Sequence, residues 1–170
     1  HRAYHGVNIG GTSLSGLVKN RQGFNGVMPG VVHMRATWDP DQTFSRGQPL
    51  DRGPELADDL LTAIQTYGGN NIAACFIEPI AGSTGCLVPP IGYLERIREL
   101  CDEHGILLVL DEVFDSSLDA AGTDEFLKIL NDLAGDVNTF VISHKGEILF
   151  DKFNKVIKFE KYKNFSRMVS

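Results

Sequence analysis

Residues 106 to 119 read ILLVLDEVFDSSLD, and the fold turns on how this stretch is parsed. Five consecutive apolar residues, Ile106 to Leu110, run into the carboxylate pair Asp111 and Glu112. A short apolar run ending in charge is the pattern of a strand buried on both faces of a parallel sheet. In such sheets ligands sit just outside the carboxyl ends of the strands. Two carboxylates at that edge, with no basic residue within several positions, need a positive partner, either a cofactor cation or a metal.

Upstream, Leu56, Leu60, Ile64 and Tyr67 fall near helical spacing, with Pro54 at the front and Gly68-Gly69 as the stop. Residues 72–78 read as a buried strand ended by Pro79, and Pro90 to His104 as a helix with Ile91, Leu94, Ile97, Leu100 and Cys101 on one face and Gly105 as its cap. With 106–111 these form a β-α-β unit. Downstream, the pattern predicts a helix over Thr123–Ala134, a strand over Val137–Ile142 and a short helix near Gly146–Phe153. Two further strands are expected at Lys155–Tyr162 and Phe165–Val169. Residues 1–54, rich in Gly, Pro, Asn and Ser, read as long loops with one short strand near Val31–Arg35. The expectation is an α/β fold: a mostly parallel sheet with flanking helices and a long irregular N-terminal segment. Its strands 72–78, 106–111 and 137–142 would lie in one sheet.

The 170 residues are 42% hydrophobic and 22% charged, enough for one sizeable core. No apolar run approaches bilayer length and no charged-then-apolar leader precedes it, so a cytoplasmic location with no membrane partner is expected. A chain that opens on His1 rather than Met is expected to lack its natural start. Cys75, Cys86 and Cys101 are odd in number and lack CxxC spacing, against a disulfide framework or zinc site, and are read as small core residues. Residues 1–150 carry 10 Lys+Arg against 20 Asp+Glu, and residues 151–170 carry 6 against 2, a net of -10 beside a tail of +4. Such a tail is either a solvated strand face partnering the acidic body or a surface for nucleic acid.

From Arg2 to Val113 the sequence resembles the class III pyridoxal-phosphate aminotransferases, in particular the branch that moves amino groups between omega-amino acids such as β-alanine and pyruvate. The motifs occur in the family's order: Tyr4-His5-Gly6, continued by VNIGGTSLSG; FIEPIAGSTG around Glu78; and Asp111-Glu112-Val113. The resemblance implies that Tyr4 stacks on the cofactor ring beside His5 and Gly6. It also implies that Glu78 belongs to the polar network there, that Asp111 meets the pyridine nitrogen and that Val113 packs on the ring face. A carboxylate against that nitrogen keeps it protonated, and a protonated ring is an electron sink. Ser83, where many relatives carry Glu, points to amine or omega-amino acid donors. The implied partners are a small amine or amino acid, a 2-oxo acid and a second copy in a homodimer. After Val113 the pattern departs: the family's Gly- and Arg-containing loop and its Schiff-base lysine context do not follow, and the flanks of Lys145 do not match.

From Leu107 to Ser170 the sequence resembles instead the carboxyl-terminal ATPase lobe of SMC-like recombination and repair ATPases, including the large subunit of a phage recombination endonuclease. That resemblance implies ATP and Mg as cofactors, with Asp111 on the magnesium and Glu112 orienting the attacking water. Asp119 would lie at a dimer interface in a D-loop, and His144 would sense the γ-phosphate, with DNA and a nuclease subunit as partners. No GxxxxGK[ST] phosphate loop occurs in the chain. The two likenesses overlap across LLVLDEV, Leu107 to Val113, so a fusion of 1–113 with 107–170, the two sharing one sheet, is the simplest account. A chimeric fragment without appreciable catalysis is the third expectation.

Overall fold

The computed structural model describes residues 1–24, 27–37, 52–112, 121–125, 127–128, 153 and 155–169. They fall into two units, one holding the described residues up to 112 and the other those from 121 onward.

In the first unit the N-terminal segment is not wholly irregular. Two short helices occur, α1 (Ile9–Leu14) and α2 (Val18–Arg21). Ile-Gly-Gly-Thr is poor helical material, and α1 forms because Asn8 caps it, its Oδ1 accepting from Gly11 N–H at 2.7 Å. The strand expected at Val31–Arg35 is absent: residues 31–36 are extended but join no ladder. Val32, His33 and Met34 instead line a groove with Asp59, Thr62, Ala63 and Thr66 of α3 (Arg52–Tyr67), and Arg35 is clamped to the same helix. The Arg35 guanidinium holds Asp59 Oδ1 and Glu55 Oε1, each at 2.9 Å, and its backbone N–H donates to Asp59 Oδ2 at 2.7 Å. Pro54 sits in the first turn of α3, where its missing N–H has no helical acceptor to lose.

Strand β1 (Ala74–Ile77), helix α4 (Tyr93–His104) and strand β2 (Leu107–Leu110) make the β-α-β unit read from the sequence. Gly105 ends α4 in the left-handed conformation, φ 65°, and its N–H returns to Cys101 O. Strands β1 and β2 pair in parallel, Ala74 with Leu107 through Ile77 with Leu110. Alternation along them divides the sheet. Cys75 and Ile77 face a core of Leu56, Leu60 and Ile64 from α3 and Ile97, Leu100 and Cys101 from α4, joined by Leu108 and Leu110. Ala74, Phe76, Leu107 and Val109 point to the opposite face. Arg96 ties the two helices at their rim, with Nε 3.0 Å from Asp58 Oδ1. Cys75 and Cys101 are buried as expected, whereas Cys86 is exposed on a loop and is no core residue.

In the second unit residues 121–125 and 127–128 are helical. Strands β3 (Lys158–Tyr162) and β4 (Phe165–Val169) form an antiparallel hairpin, Phe159 opposite Met168 and Tyr162 opposite Phe165. The described strands are therefore a two-stranded parallel sheet and a separate antiparallel hairpin, a mixed α/β arrangement rather than one mostly parallel sheet. Adjacent strands joined by a two-residue turn can pair only antiparallel. The expected strand 137–142, the short helix near 146 and most of the helix over 123–134 lie outside the described residues.

Candidate functional site

The register of β1 on β2 sets the site. Just past their last paired residues, Ile77 and Leu110, stand Glu78 and Asp111, and Asp111 N–H continues the ladder to Ile77 O at 2.8 Å. Extending the alternation carries both carboxyl groups to the sheet face of Phe76 and Val109, away from the core. Five apolar residues ending in acid thus deliver two carboxylates side by side at the carboxyl edge, where α/β sheets bind ligands.

Residues 1–6 fold over that edge. Gly16 N–H donates to Ala3 O at 2.9 Å, and Thr84 Oγ1 donates to Arg2 O at 3.1 Å, so the segment lies between α1 and the loop after β1. Tyr4 N–H then reaches Glu78 Oε2 at 3.2 Å, and the His5 ring reaches Asp111, with Nδ1 2.9 Å from Oδ2. A carboxylate is an acceptor only, so Nδ1 carries a hydrogen and donates it. The His5 side chain is 4% exposed and that of Asp111 17%. The edge of Phe76 supports the imidazole from below, ring centroids 6.1 Å apart.

Glu78 is 8% exposed, and burial pushes its carboxyl up to about 7. The Tyr4 N–H and His5 pull it down, while Asp111 and Glu112 push it further up. One carboxyl that changes charge near neutrality beside another bonded to an imidazole is a proton-handling arrangement. Asp111 Oδ1 also accepts the Glu112 N–H at 3.0 Å. Each Asp111 oxygen has then received one hydrogen bond and keeps a second lone pair for a donor from the open side. Gly6, with φ 97°, has nothing within 4 Å of where a Cβ would stand, so the chain leaves room beside Tyr4 and His5.

Of the residues singled out by sequence, Tyr4, His5, Gly6, Glu78, Asp111 and Glu112 are thus gathered at one edge, Glu112 with φ 57°. Val113, Asp119 and His144 lie outside the described residues. Among the described residues no group of three or more His, Cys, Asp or Glu side chains is placed to hold a metal ion. Also among the described residues, no helix is long and apolar enough to cross a membrane. Sequence reasoning missed Ser15, whose Oγ accepts the His5 N–H at 2.8 Å and donates to Gly11 O at 2.7 Å. The available signal was the pair of hydroxyls in Ser13-Leu14-Ser15, each four residues beyond a helix carbonyl it can reach.

Comparison with known proteins adds the following. The family model described as aminotransferase class-III matches residues 1–118. A beta-alanine–pyruvate aminotransferase of Pseudomonas aeruginosa is 51% identical over 112 residues, 66% of this chain and 25% of that protein. An omega-amino acid–pyruvate aminotransferase of Pseudomonas putida is 54% identical over 112 residues, with the same coverage of each chain. Among solved structures, the omega transaminase of Pseudomonas jessenii in complex with PMP superposes with a TM-score of 0.58 at 34% identity, over 66% of this chain and 25% of that one. The chain spans about a quarter of the length of the curated relatives it matches. Nothing among the described residues or in these likenesses supports the ATPase-lobe resemblance of residues 107–170.

Proposed function

The chain belongs to the class III aminotransferases, and from that premise we propose that residues 1–113 are a piece of the large domain of an enzyme that moves an amino group between an omega-amino acid or amine and a 2-oxo acid such as pyruvate. The family uses pyridoxal phosphate. The observation that carries the reading is the joining of three distant motifs at one sheet edge: His5 bonds Asp111 across 106 residues, and Tyr4 bonds Glu78 across 74.

The residues present fit the cofactor. Asp111 keeps lone pairs on its open side for the pyridine nitrogen, and nothing stands within 4 Å of where a Cβ on Gly6 would lie, next to Tyr4. When bound, pyridoxal phosphate supplies the electron sink for the carbanion formed at the amino-bearing carbon. The chain's own contribution is positional and electrostatic. Asp111 presents negative charge to the ring nitrogen, His5 holds the Asp111 carboxylate in one rotamer, and Tyr4 offers a flat apolar face. Glu78 holds a proton close to neutrality next to them. The intact enzyme is proposed to work as a homodimer on small-molecule amines and 2-oxo acids. Among the described residues no observation favours the ATP, Mg and DNA reading of the second segment.

Titration of the full chain with pyridoxal phosphate, followed by difference absorbance, tests the proposal. Asp111→Ala removes a charge-assisted hydrogen bond worth about 1.5–3 kcal/mol, so binding is expected to weaken by roughly tenfold or more at unchanged melting cooperativity. Equal affinity of the parent chain and the variant would remove Asp111 from the site and the proposal with it.

A further inference from the structure

Helix α1 carries two serines that repeat one device. Ser13 Oγ donates to Ile9 O at 2.6 Å and Ser15 Oγ donates to Gly11 O at 2.7 Å, each reaching back four residues. With its hydrogen thus committed, each hydroxyl turns its lone pairs outward to a backbone N–H from another segment: Ser13 accepts Met28 N–H at 2.8 Å and Ser15 accepts His5 N–H at 2.8 Å. Ser13 is 1% exposed and Ser15 0%. The two donors differ in access to water: Met28 is 49% exposed, so its N–H can turn to solvent, whereas the His5 side chain is 4% exposed. Gly11 completes the seat, since a Cβ there would stand 2.2 Å from His5 O.

Only one of the two hydroxyls holds a residue whose side chain touches the candidate site. We infer that Ser15 is a positioning residue: by fixing the His5 backbone it sets the imidazole against Asp111, and so orients the carboxylate that would face the cofactor. The inference rests on the functional reading above for what Asp111 faces, and stands on its own for how His5 is held. Arg2, Ala3 and Tyr4 make their own bonds to Gly16, Thr84 and Glu78, so they fix the segment's path. The Ser15 bond acts on the His5 backbone itself.

The test reads the His5 Nδ1–H proton by nitrogen-labelled nuclear magnetic resonance in the full chain without cofactor. In the parent chain this proton is expected as a low-field resonance, because it is held on a carboxylate. Ser15→Ala should lose or shift it. Ser13→Ala, which removes the same kind of bond but from Met28, should leave it in place. Should Ser15→Ala fail to fold, Ser15→Cys keeps the volume with a poorer acceptor and should displace the resonance in the same direction. An unmoved His5 signal in a folded Ser15 variant overturns the inference, as does equal loss of the signal in Ser13→Ala. Pyridoxal phosphate is not needed for any of these readings, so failure of the chain to bind it would sink the functional proposal and leave this result legible.

Discussion

At the sheet edge, Glu78 is the residue that burial moves out of the ordinary carboxylate range. Its carboxyl ionises near 4.5 in an unfolded chain and at about 7 in the folded one. Between those values the folded state binds more protons than the unfolded state, so stability falls as pH rises from about 4.5 to about 7 and levels off above. The loss is bounded by roughly 3 kcal/mol. Glu78→Gln keeps an acceptor for the Tyr4 N–H and has no charge to bury. The variant is expected to be more stable than the parent by about 1–3 kcal/mol on the alkaline side and to lose the slope between about pH 5 and about pH 7 in urea denaturation. Parallel pH profiles for the two proteins would place the titration elsewhere.

At the scale of elements, α1 shows how neighbouring glycines can have opposite demands. A Cβ on Gly10 would meet only Asn8 Oδ1 at an ordinary 3.5 Å, whereas one on Gly11 would strike His5 O at 2.2 Å. Replacing a helical glycine by alanine gains up to about 1 kcal/mol from propensity, and forcing an extra carbon into a packed contact costs about 1–3 kcal/mol. Gly10→Ala should therefore raise the midpoint of thermal unfolding, and Gly11→Ala should lower it and release the Tyr4-His5 segment. A higher midpoint for Gly11→Ala would show that the segment yields freely. The same helix marks where sequence reading stops. Helices α3 and α4 and strands β1 and β2 were legible from apolar spacing with Pro and Gly at their ends, although Tyr67 and Ile91, read onto the apolar faces, are 54% and 67% exposed and α4 begins at Tyr93 rather than Pro90. Helix α1 was not, because two glycines and a threonine carry no helical signal and its stability comes from Asn8 and from distant backbone. Val31 and Val32 misled in the other direction, being β-prone residues that join no ladder, with Val32 beside α3 and Arg35 clamped to it. The site divides likewise: Tyr4, His5, Glu78 and Asp111 stood out as motifs, while Ser15 has no signature without knowledge of which N–H it meets.

For the whole molecule, the hairpin departs from the usual relation of apolar residues to burial. Phe159 and Met168 on one face and Phe165 on the other are 67%, 67% and 78% exposed, and a two-stranded hairpin is marginal unless something covers a face. The chain is expected to associate with rising concentration through these side chains. Sedimentation should shift toward the monomer when Phe159 and Phe165 are both replaced by Ser, and an unchanged profile would exonerate the hairpin. The first unit raises a different matter, that of timing. Its core joins α3, β1, α4 and β2, all within residues 52–110, whereas His5 meets Asp111 only after a loop of 106 residues closes. Contacts so far apart in sequence form late, after the local ones have made the surface they close upon. During refolding, pulsed hydrogen exchange should therefore find the amides of Ile97 and Cys101 protected before those of His5 and Gly16, and simultaneous protection would contradict that order. A chain that assembles this way has a history as well as a shape: the two acids at the sheet edge stand open to solvent first, and the histidine that orients one of them arrives last.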